Sequence, residues 1–361
     1  MPAEFISLTY PNASTELSPI PKAGIDNKFL VRYARAVEDA GFDYTLLPYS
    51  SSSFDNFTIA ATISQHTEKV RPIVALRPNT VYPTVAARSL ATLDQLSDGR
   101  AVLHVIAGGS NQEQAREGDF LSKAARYERA EEYIGILRRA WREHTAFDHR
   151  GKYYEFEDFR NDVHPVNGTI PVSIGGSSDA AYRIGGESAD IFGLWGEPLA
   201  ETAEQIASVD AAAAAVGRKD RPRYWVTFRP IIAPTEELAW EKAKRVLTAL
   251  EQNAATNSTS AVRPENVGSQ RLLDIAARGE VHDRALWTAP ATVTNAQGAS
   301  TALVGTPETV AAAILDYVDL GATLVSIRGY DNYNDVIDYG RYVLPLIRQE
   351  LAQRERTSSH H

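Results

Sequence analysis

Along this chain, short runs of β-branched and aromatic residues alternate with longer segments whose apolar positions recur at helical spacing. The runs are Phe5 to Tyr10, Tyr44 to Tyr49, Val70 to Leu76, Ala101 to Ala107, Val172 to Ile174, Asp190 to Trp195, Trp225 to Ile232 and Thr323 to Arg328. Helices are predicted after them over Asn27 to Ala40, Asn56 to His66, Thr84 to Leu96, Arg126 to Glu143, Asp179 to Glu187, Leu199 to Val216, Glu236 to Gln252 and Tyr333 to Leu351. The alternation is that of βα units on a parallel sheet. Eight strands matched by eight helices favour closure into a TIM (β/α)8 barrel with insertions, an α/β fold, over an open sheet.

Two stretches break the repeat. Asp148 to Ile170, with Tyr153, Tyr154, Phe156 and Pro165, reads as a short insertion before the fifth strand. Asn253 to Ser300 is rich in Ala, Thr, Ser and Asn and precedes a further helix, Glu308 to Leu320. A loop of that length in a compact domain is usually a lid or a binding segment. One domain over residues 1–355 is expected, and 356–361, ending Ser359-His360-His361, reads as the stub of an affinity tag.

Composition narrows the function. A net charge of −9 over 361 residues argues against binding nucleic acid or an anionic membrane, which would need clustered Lys and Arg. With no Cys, disulfides, thiolate metal sites and a cysteine nucleophile are excluded. No apolar run reaches the ~18 residues of a membrane span, and the N-terminus lacks a signal-peptide pattern, so a cytoplasmic protein is expected. His66, His104, His144, His149, His164 and His282 are scattered, with no i, i+4 pair and no adjoining carboxylate motif, so no metal is expected. Ser50 to Ser53 lacks the glycines of a nucleophile elbow.

A barrel of this kind places its chemistry at the C-terminal ends of the strands. Gly175-Gly176-Ser177-Ser178-Asp179 follows an apolar strand and opens a helix. Its amides and hydroxyls suit a phosphate at the helix N-terminus, or they form a plain βα turn with a Ser or Asp cap. The same two readings hold for Gly108-Gly109-Ser110, and neither GxGxxG nor a Walker pattern is present. Tyr10, Tyr49, Phe54, Trp195, Trp225 and Tyr330 lie at strand ends, where a flat aromatic cofactor could dock, although core packing explains any one of them.

Several longer motifs run in register with a known family. Ile73-Val74-Ala75-Leu76-Arg77-Pro78, Pro83 to Arg88, Ala91 to Arg100, Arg126-Tyr127-Glu128, Gly175 to Asp179, Trp195-Gly196-Glu197-Pro198, Thr301 to Gly305 and Gly329-Tyr330 resemble the alkanesulfonate monooxygenases of the bacterial-luciferase-like class. The resemblance covers residues from about 25 to 350. It implies a two-component enzyme: FMNH2 from a separate NAD(P)H-dependent flavin reductase reacts with O2 and oxygenates carbon next to sulfur, releasing sulfite and an aldehyde. It also implies a homodimer or homotetramer.

Carried over residue by residue, Gly175, Gly176, Ser177 and Ser178 with Arg126 and Tyr127 would hold the flavin phosphate, and Arg77, Ala107, Gly108 and Trp195 would lie beside the cofactor. Trp195 and Tyr330 would face the reacting end, where Tyr330 could give a hydrogen bond or a proton. The substrate residues implied are Tyr10, Ser53, Thr227, Arg229 and Asn332. Here the chain departs from the family, with Ser53, Thr227, Ala296 and Asn332 standing where sulfonate enzymes carry Cys, Arg, Arg and His. Arg229 lies two residues beyond Thr227, on the same face of the strand, and either takes over the anion-anchoring role or pairs with a carboxylate at the barrel rim. Other readings are a flavin monooxygenase acting on a substrate other than a sulfonate, a deazaflavin (F420)-dependent dehydrogenase, and a flavin-binding protein without catalysis.

Overall fold

In a computed structural model describing residues 3–256, 263–298 and 300–358, all the expected barrel strands are present, differing only at their ends. They are Glu4–Leu8, Tyr44–Leu47, Arg71–Leu76, Val102–Val105, Val172–Gly175, Ile191–Trp195, Arg223–Ile232 and Ala322–Ile327. Each pairs with the next, the eighth pairs with the first, and the ring so formed is a (β/α)8 barrel. The strands read as continuous apolar runs because helices cover one face and the barrel interior the other; in the seventh strand every residue after Arg223 is buried.

Helix starts follow from local chemistry. Asp26, Asp55, Ser122, Ser178 and Thr306 each accept a hydrogen bond from a backbone N–H of the first helical turn, and Pro83 and Pro307 occupy first helical positions. Two compact units are distinguished. The first comprises Met1–Tyr44, Gly193–Ala207 and Arg223–His361, and the second Thr45–Phe192 and Ser208–Pro222.

Three segments differ from expectation. The insertion before the fifth strand is a hairpin, Phe147–Arg150 with Glu155–Phe159. Its turn is fastened by the Glu132 carboxylate, which accepts the backbone N–H groups of Lys152, Tyr153 and Tyr154 at 3.0 to 3.1 Å. Where described, the long segment before the eighth strand is structured, with helices Val267–Ala276 and Ala289–Val293. A strand beyond it, Ala302–Gly305, runs parallel to Arg229–Ile232. Part of the expected lid, 257–262 and 299, lies outside the described residues, as do Ser359, His360 and His361 of the expected tag.

The single C-terminal helix expected is instead Asn332–Asp338, a π-helical turn Tyr339–Val343, and Leu344–Ser358. The widened turn lets the Tyr339 hydroxyl donate to the Pro230 carbonyl at 2.5 Å and brings Gly340 so close to Ala40 that a Cβ would lie 2.5 Å from its carbonyl oxygen. No helix among the described residues is long and apolar enough to cross a membrane.

Candidate active site

In the second unit, the turn after the fifth strand is built for a close approach. Gly176 has φ of +145°, and a Cβ there would lie 2.7 Å from the Tyr127 hydroxyl and 2.9 Å from Ala181 Cβ. Ser178 caps the following helix by accepting the Ala181 N–H, as the capping reading of the turn expects. The Tyr127 hydroxyl is hydrogen-bonded to Ser178, and burial holds its pKa above the ordinary value. Gly175, Gly176, Ser177 and Ser178 are all partly open to solvent. The Tyr127 phenol, the glycine turn and the N-terminus of the helix Asp179–Ser188 thus lie together, and a helix N-terminus has the polarity an anion prefers.

Arg126 has a different local task. Its Nε donates to the Ala107 carbonyl (3.1 Å), and its terminal nitrogens reach Asn111 Oδ1 (2.9 Å) and the carbonyls of Leu121 (2.8 Å) and Gly108 (3.4 Å). It therefore shapes the loop after the fourth strand. In that loop Gly108, at φ of +87°, leaves space that Gln114 fills, since a Cβ there would overlap the Gln114 amide. Both polar atoms of the Gln114 amide, and both of Asn79 at the end of the third strand, are buried without a hydrogen-bonding partner. Orphaned buried amides are unusual and call for a ligand that can both donate and accept.

Arg77, also at the end of the third strand, is buried against Glu113 (3.1 Å) and Glu117 (2.7 Å) and lies over the ring of Tyr49, 5.0 Å from its centre. Glu113 further accepts the N–H and hydroxyl of Ser51, each at 2.9 Å. Against the opposing effect of its desolvation, these donors hold the Glu113 carboxyl down at about 2. Burial and the Glu117 carboxylate push the Tyr49 phenol up to about 12. Ser53 closes its own turn, donating to the Ser50 carbonyl at 2.9 Å. In the barrel wall, Ala75, His104 and Ser173 pair in register; His104 Nδ1 lies 3.0 Å from the Ser173 hydroxyl, and burial lowers the imidazole to about 4, leaving it neutral.

In the first unit, Arg229 is buried on the seventh strand and forms a 2.6 Å ion pair with Glu16, from the loop after the first strand. Of the two roles the sequence left open, the structure shows the ion pair. Arg328 reaches the other oxygen of Glu16 at 3.4 Å. The Arg229 guanidinium covers the Tyr330 ring at 3.7 Å and donates to the Gly329 carbonyl at 3.3 Å. Desolvation opposes charge on both members of the ion pair. Even so, Tyr330 and Glu16 keep the Arg229 pKa above its ordinary value, and Arg229 and Arg328 keep that of Glu16 below its own.

The Tyr330 hydroxyl and Arg229 Nε are buried without partners. Burial raises the Tyr330 phenol, so it stays protonated and able to donate. The Tyr330 backbone is fixed by Asp335, whose carboxylate accepts the N–H groups of Tyr330 (2.7 Å) and Asp331 (2.8 Å) in space that a Cβ at Gly329 would fill.

Other expected substrate residues have structural partners. Asn332 donates to the Ser14 carbonyl at 3.4 Å, Tyr10 stands edge-on to Tyr33, and Thr227 is buried in register with Ser326. Trp195 borders the cluster of Leu272, Ile275, Ala291 and Ala296, and a Cβ at Gly268 would lie 3.0 Å from its ring. Ala296 is fully buried there. Next to Trp195, the buried Glu197 carboxylate is gripped by Arg271 at 2.6 to 3.0 Å. Sequence reasoning missed Glu16, Arg328, Glu113, Gln114, Glu117 and Asp335. Only the i, i+4 pair Glu113 and Glu117, just after a Gly-Gly-Ser strand end, offered a signal.

The sequence profile of the family described as luciferase-like monooxygenase matches residues 7–324. Among solved structures, the chain is similar to a riboflavin lyase crystallised with modified FMN and riboflavin, with a TM-score of 0.81 and 21% identity over 97% of this chain and 92% of that one. It is similar to EDTA monooxygenase from Chelativorans sp. BNC1, with a TM-score of 0.78 and 18% identity over 97% and 94%. It is also similar to DmoA from Hyphomicrobium sulfonivorans, with a TM-score of 0.77 and 19% identity over 97% and 88%. At these identities the likeness is one of fold.

Proposed function

Because this chain belongs to the luciferase-like monooxygenase family, we propose that it is the oxygenating component of a two-component system, working with FMNH2, O2 and a separate NAD(P)H-dependent flavin reductase. The observation that supports this reading is the turn after the fifth strand, where Gly176 lets the backbone pass close to the Tyr127 hydroxyl at the N-terminus of the helix Asp179–Ser188, a setting that suits a phosphate. Ser177 and the turn amides complete it, and Arg126 keeps the neighbouring loop in shape. The orphaned amides of Asn79 and Gln114 fit a flavin ring, whose edge presents both donors and acceptors. Two of the similar structures are named for flavin or monooxygenase chemistry, which supports the same cofactor.

Reduced FMN, when bound, supplies the electrons that activate O2. The residues of the chain bind, orient and exclude water. The substrate class we propose is a small sulfonate-like organosulfur compound. One oxygen atom goes to the carbon next to sulfur and the other to water, the C–S bond breaks, and sulfite leaves an aldehyde behind. In this reading Tyr330, its phenol protonated, donates a hydrogen bond to the reacting group and Arg229 anchors the anion; the raised phenol pKa and the stacking of the two side chains support it. A second reading, a substrate without a sulfonate, is favoured by the ion pair that Glu16 already makes with Arg229.

The test is anaerobic titration with FMNH2, followed by O2 and a panel of sulfonates, sulfones and sulfur-free analogues with sulfite assayed. Sulfite release that vanishes in Arg229→Ala supports desulfonation. Tight FMNH2 binding with oxygenated product but no sulfite supports the second reading, and no FMNH2 binding overturns both.

A further inference from the structure

We infer that the Glu16 carboxylate is a displaceable internal occupant of an oxyanion seat formed by Arg229 and Arg328, and that the substrate brings its own sulfonate or carboxylate into that seat as Glu16 leaves. The inference rests on the reading of Arg229 as substrate-facing. It adds a competitor within the chain and a movement of the loop that carries it.

Four observations support it. Arg229 is 3% exposed, so its charge needs an anion beside it whether or not substrate is bound; the Glu16 side chain, 42% exposed, already reaches water from its place in the pair. Two guanidinium groups, those of Arg229 and Arg328, reach this one carboxylate, at 2.6 and 3.4 Å.

Glu16 also fills the seat incompletely. Arg229 Nε and the Tyr330 hydroxyl remain buried and unpartnered, and Nε can only donate. What these two atoms lack is an acceptor. A ligand oxyanion that enters deeper than the Glu16 side chain would satisfy donors that Glu16 leaves orphaned.

The loop, moreover, is built to move as a unit. Its neck is closed by the Asp26 N–H donating to the Pro11 carbonyl (2.9 Å) and by Asn12 Nδ2 donating to the Gly24 carbonyl (2.8 Å). Between these points there is no helix or strand. Besides the Glu16 ion pairs, polar ties from the tip to the barrel rim include, among the described residues, Asn253 Nδ2 to the Glu16 carbonyl (2.6 Å) and Asn332 Nδ2 to the Ser14 carbonyl (3.4 Å). Leu17 also packs against the cluster that contains Tyr330, so a swing of the tip would give up this apolar contact and those polar ties, while the closed neck, as in an Ω-loop, keeps the flanking strand and helix in place.

The test titrates the full chain calorimetrically with 1-propanesulfonate and butanoate as probes and dipropyl sulfone as the neutral control. Glu16→Ala and Glu16→Gln should bind both anions at least about tenfold more tightly than wild type and leave the sulfone unchanged, while Arg229→Met added to either should abolish the gain. In wild type, saturating propanesulfonate should raise hydrogen exchange of the backbone amides between residues 12 and 25. Folded Glu16 variants that bind the anions no better, or a gain that survives Arg229→Met, would overturn the inference. Should the variants not fold, unchanged exchange of the loop in wild type overturns it. FMNH2 binding is measured separately, so loss of the flavin reading shows there and not in the anion titration.

Discussion

The guanidinium carbon of Arg229 sits 3.7 Å from the centre of the Tyr330 ring, and the hydroxyl of that same ring is buried with no partner. A phenylalanine would keep the cation–π platform and remove a polar atom that contributes nothing to folding. Tyr330→Phe is therefore expected to melt no lower than wild type, while product-coupled O2 uptake falls by about a hundredfold if, as proposed, this hydroxyl is the donor to the reacting group. Full turnover in this variant would take the hydroxyl out of the mechanism.

Gly176 offers a sharper probe of the proposed flavin site. With φ of +145° and a Cβ position 2.7 Å from the Tyr127 hydroxyl, Gly176→Ala strains the turn and crowds the phenol at once. FMNH2 affinity, followed by anaerobic fluorescence titration, should weaken by about tenfold, equivalent to about 1.4 kcal/mol. Adding Tyr127→Phe removes the crowding oxygen and should restore melting temperature but not affinity, because the phenol is one of the groups proposed to hold the phosphate. An alanine variant that binds flavin as wild type does would place the phosphate elsewhere.

These side chains show where sequence reasoning reaches. The strands were legible because burial on both faces leaves unbroken apolar runs, and the turn at Ser178 was legible because a cap is a local event. The partners of the charged residues were not. Glu16 meets Arg229 across 213 positions, and Arg77 meets Glu117 across 40, so no spacing rule connects them. The hairpin at Phe147–Arg150 escaped notice because its strands are largely exposed and polar, without the alternation of a half-buried strand. The π turn at Tyr339–Val343 arises from two distant contacts, with Pro230 and Ala40, and nothing in its own composition announces it.

Arg77 joins two carboxylates of the loop after the fourth strand to the end of the third, and this makes the second unit sensitive to acid. Glu113 sits at about 2 in the folded chain against an ordinary 4.5, so at intermediate pH the unfolded chain binds the extra proton. The resulting stabilisation, weakened by solvent screening at this partly exposed site, is complete above about pH 5 and disappears as pH falls through the folded value near 2. Denaturant midpoints measured from pH 7 down to 2.5 should decline steeply in wild type. Glu113→Gln should lower the midpoint at pH 7 and flatten the decline; an equally steep slope in the variant would assign acid sensitivity to other groups.

Glu197 and Arg271 pose the corresponding question for the segment that packs on Trp195. The Glu197 side chain is 0% exposed, and its charge is met by three contacts from Arg271 on the helix Val267–Ala276. Removing the arginine alone strands a buried carboxylate, so Arg271→Met should cost about 3 to 5 kcal/mol or expose the helix to proteolysis. Replacing both partners, Glu197→Gln with Arg271→Met, removes the stranded charge and should cost clearly less than the single arginine change. A double variant as unstable as the sum of its parts would mean that each side chain acts through its own packing, and that the ion pair does not hold this helix beside Trp195.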